Sequence, residues 1–129
     1  MPSSSTIDLF VSRVEQGAHA EAVVEFYTES STMRENLGPT RVGRSNHEAA
    51  ERKVMARARS VYSKCVRPVF VEGDLVVIRW IFRFEWGDGT VTEMEELAYQ
   101  RWEGERIAEE QFFYDPVQLK PKPAAPSAA

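Results

Sequence analysis

Ile7, Phe10, Val11 and Val14 recur at i, i+3, i+4 and i+7, which is one face of a helix. A Ser/Thr run precedes them and Gly17 follows, the chemistry of a helix start and stop. Ala20, Val23, Val24 and Tyr27 predict a second, shorter helical face. Ser31 to Glu35 reads as a short extended stretch, and Asn36-Leu37-Gly38-Pro39 as a turn. Ser45-Asn46-His47-Glu48 has the S-x-x-E form of a capping box, in which Ser45 and Glu48 satisfy each other's backbone donors. The helix it opens is expected to run to about residue 60. Ala50, Val54, Ala58 and Val61 would be its buried stripe, with Arg52, Lys53, Arg57 and Arg59 around the rest.

Four strands are then expected, the first over residues 63–71. It contains Pro68, which cannot donate to a ladder, so it lies at an edge or carries a bulge. Turns at 72–74, 87–89 and 103–106 separate it from strands at 75–86, 90–102 and 106–116. Helices first and an antiparallel meander afterwards predict an α+β domain, with helices on one face of a curved sheet. The domain spans residues 6–116. Residues 1–5 read as frayed, and the Pro- and Ala-rich 117–129 as an extended tail.

Strand 75–86 alternates strictly. Val76, Ile78, Trp80, Phe82, Phe84 and Trp86 share an apolar face, which therefore turns towards the helices. If the Gly-Asp-Gly turn sets Phe84 opposite Thr92, then Arg83 faces Glu93 as an exposed pair and Trp80 faces Glu96. Glu96 then stands on the apolar face, where a carboxylate must be paired, protonated or wet. A one-residue bulge would instead turn it outward. The last strand is open in the same way. Gly104-Glu105 as a two-residue turn puts Glu109, Gln111, Phe113 and Asp115 on the inner face, and this is the preferred reading. A loop one residue longer presents Glu110, Phe112 and Tyr114 instead.

Composition narrows the classes. The 129 residues suit one domain with one core. A net charge of −4 with interspersed basic residues argues against a nucleic-acid partner. No apolar run is long enough to span a membrane, and the N-terminus lacks the regions of a secretory signal. Cys65 is the lone cysteine, which excludes an internal disulfide and suggests a reducing, cytoplasmic setting. Cys65 with His19 and His47 is a poor set for a dedicated zinc site, and no phosphate loop or helical metal motif occurs. No cofactor is expected. His47, in the first turn of a helix, is read as a solvated residue.

Several segments, in this order and spacing, carry a resemblance. They are the Gly17 break, FYTESSTM, RVGRSNHEAAERKVM, GDLVVIRW, GDGTV, EGERI and the closing FYD. Together they make residues 7–116 similar to the SnoaL-like branch of the nuclear transport factor 2-like superfamily. The resemblance implies a cone-shaped α+β barrel, whose strongly bent sheet wraps the helices around a pocket. It also implies a homodimer through the outer sheet face. In SnoaL-type polyketide cyclases an aspartate ending the last strand is the general acid/base, which points to Asp115. Their partner histidine has no counterpart here, although Arg101 is near. In ketosteroid isomerases a carboxylate of the first short strand moves the proton, which points to Glu35. The isomerase oxyanion hole would fall on Phe10 and Ala98, which cannot form it. The Arg-x-Asp of limonene-type epoxide hydrolases meets Arg79-Trp80-Ile81, without the aspartate.

The expected catalytic residues are therefore Asp115 and Glu35. The expected ligand-binding residues are Trp80, Phe82, Phe84, Glu96, Tyr27, Met33 and Tyr62. Aromatic walls would raise the carboxylate pKa values and suit proton transfer near neutrality. Two functions stand. One is metal-free acid–base catalysis on a small apolar molecule: cyclisation, isomerisation, dehydration or hydration. The other is a small-molecule binding or dimerisation domain without turnover.

Overall fold

The computed structural model describes residues 1–124; residues 125–129 of the expected tail lie outside the described residues. Three helices precede most of a seven-stranded sheet. They are α1 (Ser4–Glu15), α2 (His19–Phe26) and α3 (Arg44–Arg57). The strands are β1 (Tyr27–Glu35), β2 (Thr40–Val42), β3 (Ala58–Glu72), β4 (Leu75–Trp86), β5 (Thr90–Glu103), β6 (Arg106–Phe113) and β7 (Lys122–Pro123). The order is β2-β1-β6-β5-β4-β3, with β7 beside β5. β3 to β6 form the expected antiparallel meander, and β1 joins β6 in parallel, so the sheet is mixed, bent and unclosed. Among the described residues no helix is long and apolar enough to cross a membrane.

Ile7, Phe10, Val11 and Val14 are the buried face of α1. The N-terminal residues read as frayed are instead engaged. The Ser3 hydroxyl caps α1 by accepting from the Thr6 amide, and the Glu105 carboxylate accepts from the Ser3 amide. In α2 the buried positions are Ala20, Ala22, Val23 and Phe26, while Val24 is exposed. Tyr27 has already passed into β1.

The capping box at Ser45 is corrected. Gly43, with φ of 103°, is the N-cap, and its carbonyl accepts from the amides of Asn46 and His47 at 3.1 Å. The helix thus starts at Arg44, Ser45 lies inside its first turn, and Glu48 accepts from Arg52 at 2.8 Å. It ends at Arg57, because Ala58 is extended and opens β3. The expected stripe of Ala50, Val54, Ala58 and Val61 is only half-buried.

The fully buried residue of α3 is His47, so its solvated reading is also corrected. His47 lies three residues before Ala50 and seven before Val54, on the helix face that turns inward. Arg41 Nε donates to its Nδ1 at 3.0 Å, so Nε2 carries the proton it donates to the Ser31 carbonyl at 2.9 Å. Burial, with the Arg41 charge adding to it, lowers its pKa and keeps the ring neutral.

β4 is formed as expected. Val76, Ile78, Trp80, Phe82 and Phe84 are buried on one face. Phe84 stands opposite Thr92, Arg83 opposite Glu93 and Trp80 opposite Glu96, with no bulge along the pairing. The Arg83–Glu93 ion pair does not form. Arg83 bonds Glu85 at 2.6 Å, and Glu93 meets Lys122 at 3.7 Å. β3 is both an edge strand and bulged around Pro68.

The turn at Gly104-Glu105 also forms, with Gly104 at φ of 58° and Glu103 opposite Arg106. The expected orientation of β6 nevertheless fails. Trp102 pairs with Ile107, yet Arg101 pairs with Glu109, so Ala108 is an extra residue on β6. Ile107 and Ala108 are both buried, and the alternation changes phase after them. Glu110 points in, and Glu109 points out.

Candidate functional site

Between the helices and the concave sheet face lies a cavity of about 340 Å³. β4 supplies its aromatic wall. Trp80 and Phe82 stack at 5.5 Å, and Phe84 and Trp86 stack at 5.3 Å. Phe10 and Val14 of α1, Ala22 and Val23 of α2, and Met33 of β1 close much of the opposite side. α3 presents Glu51, Val54 and Arg57, residues three apart that share a helix face. The Arg57 guanidinium lies 4.8 Å from the Trp86 ring centre.

Four carboxyl groups line this largely apolar space: Glu35, Glu51, Glu96 and Glu110. Glu110 is 3 % exposed and held from two sides. The Tyr27 hydroxyl donates to Oε1, and Gln100 Nε2 donates to Oε2 at 2.6 Å. Trp102 Nε1 donates in turn to Gln100 Oε1 at 2.9 Å, which fixes the orientation of the amide. Burial pushes Glu110 up to about 7, although the bonds from Tyr27 and Gln100 pull the other way. Burial and the Glu110 carboxyl raise the Tyr27 hydroxyl well above the usual phenol range.

Glu96 is 9 % exposed, and among the described residues no donor bonds its side chain. Burial, then the Glu110, Glu35 and Glu51 carboxyls, push it up to about 8. Glu96 lies four residues from Gln100 on β5, on the order of 13 Å along the strand. The two backbones are therefore apart along the sheet, while the Glu110 carboxyl is the strongest charge acting on Glu96. Glu35 is at the mouth, where its Oε1 accepts from the Tyr114 hydroxyl at 3.0 Å. Glu51 is half-buried, and its pKa is raised mainly by burial. His19 is lowered to about 4 by burial and so is neutral; its Nε2 and the Ser63 hydroxyl share a hydrogen bond of 2.8 Å. Among the described residues no group of three His, Cys, Asp or Glu side chains could hold a metal ion.

Of the expected site residues, Glu35, Trp80, Phe82, Phe84, Glu96, Tyr27 and Met33 border the cavity. Asp115 and Tyr62 do not. Asp115 is exposed, and its carboxylate accepts from the Val117 amide, capping a 3-10 turn at Pro116–Leu119. The bulge at Ala108 reverses the facing on which its inward placement rested. Tyr62 is 56 % exposed, because it pairs with Arg83 on the outer face. The sequence reading missed Glu51, Glu110 and His19. Glu51 lies three residues before Val54 and so shares its helix face, which the spacing alone could have shown, and the alternative β6 register already contained Glu110. No sequence signal marks His19.

No family model matches the sequence, and no curated protein matches it. Solved structures do match in shape. One is a protein of ketosteroid isomerase-like fold from Catenulispora acidiphila, in complex with trimethylamine. The two share 17 % identity over 91 % of this chain and 90 % of that one, with a TM-score of 0.74. Another is an LEH-like epoxide hydrolase of M. tuberculosis, at 11 % identity over 89 % and 84 % and a TM-score of 0.73. A third, from Jannaschia sp. CCS1, bears the name of SnoaL-like polyketide cyclase, at 15 % identity over 92 % of both chains and a TM-score of 0.73. The chain therefore has the cone-shaped α+β fold of the SnoaL-like and nuclear transport factor 2-like proteins.

Proposed function

We propose that the cavity binds a small, mostly apolar molecule and that Glu110 moves a proton on it. One observation carries this reading. Glu110 is enclosed by protein, borders the cavity and titrates near neutrality, as a group that both takes and returns a proton should. Its carboxylate would take a carbon-bound proton. The Tyr27 and Gln100 bonds would hold the carboxylate in place, and Tyr27 stands beside it as a hydrogen-bond donor. Glu35, bonded by Tyr114 at the mouth, is the second carboxylate of the site. The trimethylamine complex of the Catenulispora protein supports a small ligand with apolar groups.

Proton transfer can be assayed without knowing the substrate. A panel of small apolar ketones in heavy water, followed by proton NMR, would show exchange at carbons next to the carbonyl. Exchange should rise with pH through about 7 as Glu110 ionises, and Glu110→Gln should slow it by about a hundredfold or more. Exchange that is absent throughout the panel, or indifferent to Glu110→Gln, would defeat the catalytic reading. Binding without turnover is the second reading, favoured by the fact that both Glu110 oxygens already have donors.

The outer sheet face exposes Tyr62, Leu97, Tyr99 and Phe113. Leu97 and Phe113 stand directly opposite each other there, with Tyr99 two residues along β5; apolar groups gathered on one sheet face mark an interaction surface, and we infer that a second copy of the chain covers it. Sedimentation should give a dimer that Tyr99→Glu dissociates; a monomeric wild type would end this reading.

A further inference from the structure

Resting on the small-molecule reading, we propose that the occupant carries a protonated or quaternary amine, held beside Trp80 with Glu96 as counter-ion. Charge balance is the first argument. The cavity is bordered by Glu35 from β1, Glu51 from α3, Glu96 from β5 and Glu110 from β6, against Arg57 from α3 as the bordering cation. Arg57 is already committed to the Trp86 ring. His19 from α2 is neutral, and Tyr27 and Tyr114 add only hydroxyls. An anionic occupant would be repelled by whichever of these carboxyls is ionised, whereas a cation would be attracted and would favour their ionised forms.

Glu96 locates the cation. Glu110 has Tyr27 and Gln100, and Glu35 has Tyr114; Glu51 and Glu96 have no hydrogen-bond donor among the described residues, and of these two the more enclosed is Glu96. It is nine-tenths buried, and its remaining exposure is to the cavity. Trp80 stands directly opposite it on the same sheet face. Directly opposite side chains are close neighbours, so the Trp80 ring and the Glu96 carboxyl adjoin the same space. That pairing attracts an ammonium through both the ring and the charge. Arg57 over Trp86 is the same preference, met inside the chain along the same aromatic wall.

Protonation follows from this. In the empty cavity burial keeps the proton on Glu96 up to about pH 8. A bound cation would favour the carboxylate, so below that pH each binding event should release about one proton. Affinity for a permanent cation should therefore climb with pH and level off above about 8.

The test is calorimetric titration of the full chain with benzyltrimethylammonium and with its neutral carbon isostere, neopentylbenzene. At pH 8 the ammonium should bind about tenfold more tightly. At pH 7, titrations in buffers of different ionisation enthalpy should report the released proton. Glu96→Gln should bring the two affinities together while leaving the neutral probe unchanged. Trp80→Phe should narrow the gap only partly, because the ring face is smaller. Equal affinities in the wild type, or a preference that survives Glu96→Gln, would overturn the amine assignment and leave the apolar cavity standing. If neither probe binds at millimolar concentration, both the amine assignment and the small-molecule reading fall.

Discussion

Two hairpins of the same sheet obey their sequences differently. β4 and β5 are joined at residues 87–89 and stay in phase from Leu75–Arg101 to Glu85–Val91. β5 and β6 are joined by a turn one residue shorter, yet one residue, Ala108, shifts the pairing at Arg101/Trp102. In the first hairpin, fixing the turn fixes every side chain. In the second, the turn is right and the facings beyond the bulge are still reversed. The reversal brings Glu110 rather than Glu109 to the cavity and leaves Asp115 in solvent.

The sharpest way to break this comparison is to delete one residue from each hairpin. Loss of Glu95 has no bulge to absorb it, so the remainder of β5 must turn its buried face outward. Such a reversal exceeds the stability of an ordinary domain, about 5–15 kcal/mol, and the variant should not fold. Loss of Ala108 removes only the extra residue. Glu110 can still pair with Gln100, so the fold should survive at a cost of about 1–3 kcal/mol. Circular dichroism and urea melting would separate the two. Comparable damage from both deletions would mean that the bulge is not where the strand takes up its slack.

A smaller effect separates Glu96 from the rest of β5. Its pKa rises from 4.5 to about 8 in the folded chain. Between those values the folded state binds more proton than the unfolded state, so this group lowers stability as pH rises, fully above about 8. His19, lowered to about 4, works in the opposite sense between about pH 4 and 6.5, and Glu110, raised to about 7, works in the same sense as Glu96, so the wild-type curve alone mixes several groups. The difference between Glu96→Gln and wild type isolates the glutamate. The variant should gain on wild type from pH 5 to 8, by on the order of a few kcal/mol at the upper end. Melting temperatures at pH 5, 6.5 and 8 would measure it; a gap that does not widen would show Glu96 to be well solvated.

These contrasts explain what could be read in advance. The β4 pattern specified the cavity wall because an unbroken alternation of six apolar residues has one solution on a one-sided sheet. Glu96 followed from the Gly-Asp-Gly turn, since no bulge intervenes. Ala108 is small and apolar enough to be buried beside Ile107, but nothing local requires it, so the facing of β6 could not be settled by composition. His47 and Glu51 are polar residues on the inner face of α3, at helical spacing from Val54, and their residue types concealed that facing. Ser45 and Glu48 have the residue types of a capping box, while Gly43 supplies the actual turn into the helix. The parallel pairing of β1 with β6 is non-local and left no mark on either strand.

The smallest prediction bears on the closest pair, Glu109 and Glu110. They are chain neighbours of the same type, and the bulge alone gives them opposite surroundings. Glu109 Oε2 accepts from Arg101 Nε at 3.2 Å on the open outer face, and Arg101 also reaches Glu103 at 3.3 Å. An exposed pair whose cation keeps another partner contributes little, so Glu109→Gln should change stability by less than about 0.5 kcal/mol. It should also leave the pH dependence of deuterium exchange untouched. Glu110→Gln replaces a buried acceptor that serves Tyr27 and Gln100 and removes the group that titrates near 7. If Glu109→Gln, rather than Glu110→Gln, moved the exchange profile, β6 would have the opposite facing in solution. The cavity would then have to be rebuilt around Glu109, Gln111 and Phe113.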